Sequence, residues 1–455
     1  MLSRHRQQTP VAWSREKVTT AAEMRAHVEG FAQLLEPASE GEELLVICRD
    51  RYRFAVAVLA AWHRGYSVAL PPNPQIETIR AIRARPQVVS GIHDVDGVDR
   101  GIDVRDAAVV EAARAAVGRV PFAPLPTPKP SRLLATVYTS GSTGDHVACP
   151  KTAAQLLGEA RLLSQTFLAG SRAASPGPRF LPMVPCHHIY GLLFGVLVPL
   201  VSGGSFYRNT PLHAAEVAAV GPVDVLVSVP AHLRGLLIAR HDELPEISTV
   251  FSSAAPLPAR TASALRERFG WTITEVFGSS ETGGIAWRKT GGRGPWTPLP
   301  GVTVDAAEDG QMRVTSPFLA PTVEQPYRAG DRIELLDDGR FVHLGRVDGV
   351  LKIGGVRVSV AEIERRLLSI DGVKDAGVTS AKVSGPRGHE IRAAVVAPEL
   401  TIGELRGALR GWLAAVAMPR RILFVEALPR GASGKLRRKD LDALFERPPA
   451  DGGEP

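Results

Sequence analysis

The 455-residue chain has few cysteines, few aromatic residues and no long hydrophobic run. Its three cysteines, Cys48, Cys149 and Cys186, lie far apart and form no CxxC pair. This spacing argues against a disulfide framework or a zinc site and favours a reducing compartment. The longest apolar stretch, around 192–201, is interrupted by a glycine and a proline and is too short to span a membrane. The first residues also lack the apolar centre of a signal peptide, so we expect a cytoplasmic protein without a membrane span.

The sequence also lacks an arginine-rich run with interleaved aromatic residues, although its net charge is +7. A basic nucleic-acid-binding protein is therefore a weak alternative, and we expect no nucleic-acid partner. Positive charge suits acidic small molecules such as nucleotides equally well, and it also suits an acidic carrier protein.

Hydrophobic periodicity in the first third predicts alternating helices and strands. The predicted helices are Ala21–Leu35 and Tyr52–Arg64, and the predicted strands are Glu43–Cys48 and Tyr66–Leu70. Such alternation predicts an α/β fold with a mainly parallel sheet. The proline-rich stretch 121–130 is either a surface crossing within this domain or a linker. Beyond 345–349 the pattern changes to a separate α+β module of about 100 residues, as domain sizes allow.

A run of hydroxyl residues and glycines follows the apolar segment 133–138. The run is Thr139-Ser140-Gly141-Ser142-Thr143-Gly144, and a helical pattern begins after Lys151. We interpret this as strand, loop and helix, with the loop at a helix N-terminus forming a phosphate cradle. It is not a Walker A loop, because Pro150 precedes Lys151 and no Gly-Lys-Ser/Thr follows. An exposed flexible turn remains the alternative on composition alone.

This loop resembles the adenylation signature of the acyl-adenylate-forming superfamily, which includes acyl-CoA synthetases, luciferases and nonribosomal peptide adenylation domains. Further motifs of that family are similar to 277–283, 327–331, 345–355 and 428–435, in the right order and over nearly the whole chain. The resemblance implies an α/β fold with a large N-terminal domain, 1–346, of mainly parallel and mixed sheets with flanking helices. A small mobile α+β domain, 347–455, follows a hinge near Asp348.

The resemblance implies ATP and Mg²⁺ as cofactors, with Glu281 as the magnesium ligand. From the residues alone, Glu281 could be a solvated surface charge and Asp331 a turn residue. The loop residues Thr139 to Gly144 would wrap the phosphates, although Pro150-Lys151 comes four residues later than in the family, which leaves the role of Lys151 open. The remaining nucleotide contacts implied by the motifs are Ala254, Ala255, Phe277, Gly278, Ser279, Ser280, Asp331 and Arg346.

Lys435 matches the adenylation lysine of the family, although its local sequence is also typical of a basic surface run. Lys352 would lie near the site of thioester formation, and Gly354 and Gly355 would line the pantetheine tunnel. The acid pocket implied by the motifs consists of His188, Tyr190, Ser228, Ser253, Gly283 and Gly284. We expect His187 and His188 to point apart on a strand and to bind no metal.

Small, mostly apolar pocket residues favour an aryl or medium-chain acid over an amino acid. The chain resembles compact aryl acid–acyl carrier protein ligases. We therefore expect acid–thiol ligase activity that proceeds through acyl-AMP to a phosphopantetheine thiol. An acyl carrier protein is slightly preferred as the acceptor. The alternatives are a ligase that uses coenzyme A and a non-catalytic relative that binds nucleotide or acyl ligand.

Overall fold

The computed structural model describes most of the chain. It covers residues 5–96, 101–106, 127–140, 146–169, 177–239, 244–289, 294–346, 350–353, 356–383, 389–410, 417–431 and 434–446, with a few single residues between 98 and 115 and at 413. The proline-rich stretch predicted as a crossing or linker lies mostly outside the described residues.

The first sheet of the large domain is mainly parallel, as predicted. Its strands are β3 (Glu43–Ile47), β4 (Ser67–Leu70), β5 (Val88–His93), β6 (Ile102–Asp103), β7 (Leu133–Ser140) and β8 (His146–Thr152), in the order β6-β5-β3-β4-β7-β8. All five residues of β3 are buried, which is typical of a strand covered on both faces. Only β8 runs antiparallel to its neighbour, β7, and it forms the edge of the sheet in the described part of the chain.

The second sheet holds nine strands in the described residues. They are β1 (Pro10–Trp13), β2 (Val18–Thr20), β9 (Arg179–Pro182), β10 (Ser205–Tyr207), β11 (Val225–Ser228), β12 (Thr249–Ser252), β13 (Ile273–Ser279), β14 (Gly283–Arg288) and β15 (Thr297–Pro298). Strands β9, β11, β12 and β13 are neighbours and parallel, so their carboxyl ends meet at one edge. Ligands commonly bind at such an edge in α/β sheets.

Helices cover both sheets. They are α1 (Ala21–Ala32), α2 (Arg51–Arg64), α3 (Ile76–Arg83), α4 (Ala153–Phe167), α5 (Ile189–Leu192), α6 (Val198–Ser202), α7 (Ala214–Ala218), α8 (Pro230–Ile238) and α9 (Ala259–Phe269), with a π-helical segment, Leu193–Leu197, between α5 and α6. Thr20 and Glu23 form a capping box that starts α1. Asp50 caps α2, and Gly65, at φ 103°, ends it. No helix among the described residues is both long and apolar enough to cross a bilayer.

A third, antiparallel sheet completes the large domain, and a smaller domain follows. The third sheet contains β16 (Thr303–Ala306), β17 (Gln311–Thr315), β18 (Tyr327–Leu335) and β19 (Phe341–Arg346). The smaller domain contains β20 (Val350–Ile353), β21 (Val356–Ser359), α10 (Val360–Leu368), β22 (Asp375–Lys382), β23 (His389–Val396), α11 (Ile402–Arg410), β24 (Arg421–Phe424) and α12 (Arg438–Glu446). The smaller domain has its own apolar core around Ile363, Leu367 and Ile391. The α/β architecture of a large and a small domain confirms the predicted fold, whereas the boundary at 346/347 stays a prediction.

Candidate active site

The hydroxyl-rich loop connects two strands of a hairpin rather than a strand and a helix. Thr139 pairs with Val147 and Ser140 with His146 across β7 and β8. The prediction that a helix N-terminus follows the loop is therefore wrong, because α4 begins only at Ala153. Proline in β8 made this segment look unlike a strand, but an edge strand tolerates proline. Gly141, Ser142, Thr143 and Gly144 lie outside the described residues, as does the side chain of Ser140.

Lys151, whose role the sequence left open, is completely buried. Its Nζ donates hydrogen bonds to the carbonyl oxygens of Glu281, at 3.1 Å, and Phe318, at 2.7 Å. Burial lowers the pKa of Lys151, and the nearby carboxylate of Glu159 acts in the opposite direction. Lys151 thus contacts the backbone that carries the predicted magnesium ligand.

The segment from Phe277 to Gly284 comprises the end of β13, the turn 280–282 and the start of β14. Ser279 and Thr282 tie the turn: each backbone N–H donates to the other side-chain oxygen, at 3.1 and 3.2 Å. Glu281 is half-buried within this turn, whereas Gly278 and Ser279 are exposed and Ser280 is half-buried. The turn places the Glu281 backbone beside β8, which carries the phosphate loop.

Glu281 fits the donor set expected for magnesium. Mg²⁺ in nucleotide sites is usually held by one or two carboxylates together with phosphates and water. Among the described residues, no group of three His, Cys, Asp or Glu side chains could hold a metal without such help. A single half-buried carboxylate beside the phosphate loop is therefore the arrangement that suits magnesium bound together with a nucleotide.

The residues predicted to bind adenine and ribose lie together. The Phe277 ring centroid lies 5.4 Å from Trp296 and 5.3 Å from His343. His343 Nε2 is 2.8 Å from Asp331 Oδ1, and Asp331 pairs with Arg346 across β18 and β19. The Arg346 side chain lies outside the described residues. His343 was not predicted from the sequence. It lies two residues before Gly345, where the motif 345–355 begins, and this position was a usable signal.

Ala254 and Ala255 follow the carboxyl end of β12, at the same sheet edge. Ala254 has φ 71°, and it is the only non-glycine residue with positive φ in the described part of the chain. Such a conformation is costly for alanine and is enriched at functional sites. The strain fits the predicted nucleotide contact.

The predicted acid-pocket residues also lie at this edge. The Tyr190 hydroxyl donates to the Ser228 carbonyl at 3.2 Å. The centroids of the Tyr190 and Phe194 rings lie 5.1 Å apart. The Ser253 hydroxyl donates to the Val276 carbonyl at 2.7 Å. Gly283 and Gly284 lie against Glu159, whose Oε1 accepts from the Gly284 N–H at 2.6 Å. These bonds occupy the hydroxyl groups of Tyr190 and Ser253 with backbone carbonyls.

His187 and His188 do not lie on a strand and do not point apart, contrary to the prediction. They precede α5, with ring centroids only 4.7 Å apart, and His188 is the N-cap residue of that helix. Burial, and then the charge of Lys435, lower the pKa of His188 to about 4. Burial also lowers the pKa of His187 well below its usual value, so both rings are neutral near pH 7.

Lys435 reaches this pocket from the small domain. Its neighbour Gly434 packs against Val229 of the large domain, so closely that an added Cβ would lie 3.0 Å from Val229 Cγ2. Arg430 holds the loop, because its Nη1 donates to the Gly434 carbonyl at 3.1 Å. Because Val229 directly follows Ser228, whose carbonyl accepts from Tyr190, this packing places the Lys435 loop beside the predicted acid pocket.

The residues predicted for the second half-reaction are described only in part. Lys352 lies in β20, which pairs with β21, but its side chain is outside the described residues. Asp348, Gly354 and Gly355 also lie outside them. Glu159, Phe318 and Arg430 were not predicted as site residues. For Glu159 a signal was available, because a single glutamate within the apolar face of a helix is unusual.

Comparison with known proteins agrees with this geometry. The AMP-binding enzyme family matches residues 2–359, and the AMP-binding enzyme C-terminal domain matches residues 362–435. A 4-coumarate–CoA ligase from Halorhodospira halophila is 31% identical over 310 residues, 66% of this chain and 74% of that enzyme. A sulfoacetate–CoA ligase from Cupriavidus necator is 29% identical, over 70% of this chain and 68% of that enzyme.

The fold is also similar to solved structures. ATP-bound MatB from Rhodopseudomonas palustris superposes with a TM-score of 0.81 at 20% identity, over 97% of this chain and 96% of that one. The chain therefore belongs to the family of AMP-binding, adenylate-forming enzymes and is an acid–thiol ligase.

Proposed function

We propose that the protein activates a carboxylic acid with ATP to an acyl-AMP and then transfers the acyl group to the thiol of coenzyme A. The observation that carries this proposal is the convergence of the Lys435 loop, the segment His188–Tyr190 and the segment 277–284 at one sheet edge. These groups come from two domains and from motifs far apart in sequence. A shared reaction centre is the simplest reason for their meeting.

Formation of an acyl-AMP requires that an anionic acid and an anionic triphosphate be positioned together and that positive charge stabilise them. Lys435 supplies a charge that can contact both the attacking carboxylate oxygen and the α-phosphate. His188, neutral near pH 7, can donate a hydrogen bond to the carboxylate without holding it as an ion pair. Asp331, held by His343, can accept hydrogen bonds from the ribose hydroxyls.

We infer that Glu281 holds magnesium together with the phosphates. The metal, when bound, neutralises charge on the triphosphate and on the departing pyrophosphate. The chain's own contribution is to keep the Glu281 carboxylate next to the hairpin that carries the phosphate loop, since Lys151 fixes the Glu281 carbonyl.

The pocket supports an aryl or medium-chain acid. The similar enzymes named above act on an aromatic acid and on a small sulfonated acid, so similarity alone leaves the class open. Behind the half-buried Tyr190 ring lie the buried rings of Phe194 and Phe251, whose centroids are 4.8 Å apart. Aromatic edges and faces favour a planar apolar substrate.

Coenzyme A is the acceptor that the similar enzymes favour, because both named ligases form CoA thioesters. The sequence-based preference for an acyl carrier protein has no such support. The positive charge of the small domain suits the phosphates of coenzyme A as well as an acidic carrier.

A panel of aryl and aliphatic acids in a pyrophosphate-release assay tests the first half-reaction. Lys435→Ala is expected to lower acid-dependent pyrophosphate exchange roughly 10²–10³-fold, the usual effect of losing a charge-stabilising contact. Lys439→Ala removes the same charge from the adjacent helix and should keep parent activity. Exchange by Lys435→Ala at the parent rate would contradict the assignment and favour a non-catalytic binding protein.

The acceptor is tested by supplying coenzyme A or holo carrier proteins to the acyl-AMP-forming enzyme. We expect thioester formation on coenzyme A. Turnover on a carrier protein with none on coenzyme A would overturn this part of the proposal and restore the carrier-protein reading.

A further inference from the structure

Lys151 is a charged side chain in the protein interior, on the strand that leaves the phosphate loop. None of its surface is exposed, and its ammonium group is bound to two backbone carbonyls, those of Glu281 and Phe318. These partners lie 130 and 167 residues away in the sequence. The bonds therefore join the phosphate-loop hairpin to the turn that carries Glu281.

Glu159, on α4, reaches the same turn from the other side. It is 1% exposed, and its Oε1 accepts a hydrogen bond from the Gly284 N–H at 2.6 Å. Its Oε2 has no hydrogen-bond partner among the residues that the structure describes. A Cβ on Gly283 would lie 2.7 Å from Glu159 Oε2 and 2.9 Å from Phe318 Cβ, so the carboxylate packs directly on the turn.

The two charges compensate each other in the interior. Each influences the pKa of the other in the direction that favours the charged form, against the cost of burial. A buried charge that loses its partner is strongly unfavourable, whereas replacing both charges by neutral groups of similar shape is often tolerated. Lys151 and Glu159 therefore stabilise each other's charge in the interior.

We propose that Lys151 and Glu159 are positioning residues that hold residues 281–284 from two sides and so fix the Glu281 carboxylate relative to the β7–β8 hairpin. Lys151 fixes the carbonyl at the start of the segment, and Glu159 fixes the N–H at its end. The inference rests on the proposed function, since the position of Glu281 matters only where a nucleotide and its metal bind. It assigns Lys151 a role distinct from direct contact with phosphate.

The test compares Lys151→Met, Glu159→Gln and the double variant with the parent. Leu163→Ala, which removes a buried side chain from the same helix, is the control for a general loss of packing. MgATP binding is measured by calorimetry without any acid, at rising Mg²⁺ concentration. Lys151→Met and Glu159→Gln are expected to need roughly 10-fold more Mg²⁺ for half-saturation, the usual effect of losing a residue that orients a metal ligand.

Two further measurements separate positioning from other roles. If Lys151 acts through Glu281, adding Lys151→Met to Glu281→Gln should weaken MgATP binding little beyond the effect of Glu281→Gln alone. The double variant Lys151→Met/Glu159→Gln should melt at a higher temperature than either single variant while keeping the weakened Mg²⁺ dependence. Leu163→Ala should lower the melting temperature without changing that dependence.

Additive losses for Lys151→Met and Glu281→Gln would overturn the proposal and indicate that Lys151 contacts the nucleotide itself. Parent-like Mg²⁺ dependence in folded Lys151→Met would overturn it in favour of a purely structural lysine. A parent that binds MgATP but releases no pyrophosphate with any acid would overturn the proposed function alone, since the Lys151 comparison uses no acid.

Discussion

The imidazole of His188 occupies a position where a positive charge is unfavourable. Burial, and then Lys435, lower its pKa from 6.5 to about 4. As the pH falls, the unfolded chain takes up this proton near pH 6.5, but the native protein does so only near pH 4. The unfolded state thus binds more protons in between, so this contribution to stability is present above pH 6.5 and is lost as the pH falls towards 4.

His188→Gln should therefore make the protein less sensitive to acid. We expect its free energy of unfolding to fall by about 2 kcal/mol less than that of the parent between pH 7 and pH 4.5, since each pKa unit corresponds to about 1.4 kcal/mol. Urea unfolding at the two pH values measures this difference. His63→Gln, on α2 away from the pocket, is the matched control. Equal acid sensitivity in His188→Gln and the parent would contradict the buried neutral ring.

At the scale of elements, the connection between β13 and β14 requires glycine at position 283, both for its backbone conformation and for the lack of space around it. Gly283 has φ +69° and faces Glu159 and Phe318 at distances too short for a Cβ. Gly270, at the end of α9, has φ +70° but nothing within 4 Å of a Cβ. Alanine at either position bears the left-handed backbone cost, roughly 1–2 kcal/mol, but only Gly283→Ala also displaces Glu159.

Gly283→Ala should therefore destabilise the protein by roughly 1–3 kcal/mol more than Gly270→Ala, which is the usual cost of overpacking. It should also weaken MgATP binding, because the displaced segment carries Glu281. Chemical unfolding and nucleotide titration of the two variants give the comparison. If Gly283→Ala and Gly270→Ala lose similar stability and Gly283→Ala keeps the parent's nucleotide affinity, the Glu159 side chain must move aside without displacing the segment that carries Glu281.

For the whole molecule, the two domains are joined by arginines of the large domain that bind the small one. Arg234, on α8, contacts the Lys374 carbonyl and lies 3.3 Å from Asp375, whose carboxylate also binds Arg430 at 2.8 Å. Arg260, on α9, donates to the Ile370 carbonyl at 2.7 Å and also to the Val373 carbonyl. Through Arg430 this contact is continuous with the Lys435 loop.

Arg234→Ala should slow acid-dependent pyrophosphate exchange five- to thirtyfold, since it loses about 1–2 kcal/mol of hydrogen bonding and ion pairing. Thioester formation from supplied acyl-AMP should be unaffected, provided that the small domain adopts a different position for that step. Arg266→Ala, an exposed arginine on α9, is the control. Equal slowing of both half-reactions by Arg234→Ala would indicate a general loss of structure.

The sequence predicted the fold class and much of the local structure. The first two helices and the strands around them were predicted from hydrophobic periodicity, which is a local signal, and the capping box at Thr20 and the αL glycine at Gly65 set the helix ends in the structure. Strand β8 was missed because Pro150 interrupts its pattern. The stacked rings of His187 and His188 were missed because local spacing does not show that α5 begins at Ile189.

The candidate site was predictable only where it lies in short motifs. Glu281, Asp331 and Lys435 stand in such motifs, and their roles remain proposals. The contacts of Lys151 depend on residues more than a hundred positions away, and a lysine ordinarily lies at the surface. Its burial follows from tertiary structure alone.

The shared anchoring of one turn has a practical consequence for anyone who wishes to change the acid that this enzyme accepts. Residues 283 and 284 are the predicted pocket floor, and the same short segment carries the carboxylate proposed to hold magnesium, so enlarging or reshaping the floor would be felt at the proposed nucleotide site. The opposite side of the predicted pocket, at Tyr190 and Ser228, has a different neighbour, because Val229, next to Ser228, packs against Gly434 beside Lys435. Changes on that side would be felt at the predicted adenylation lysine rather than at the metal, so the two sides offer separate routes to redesign.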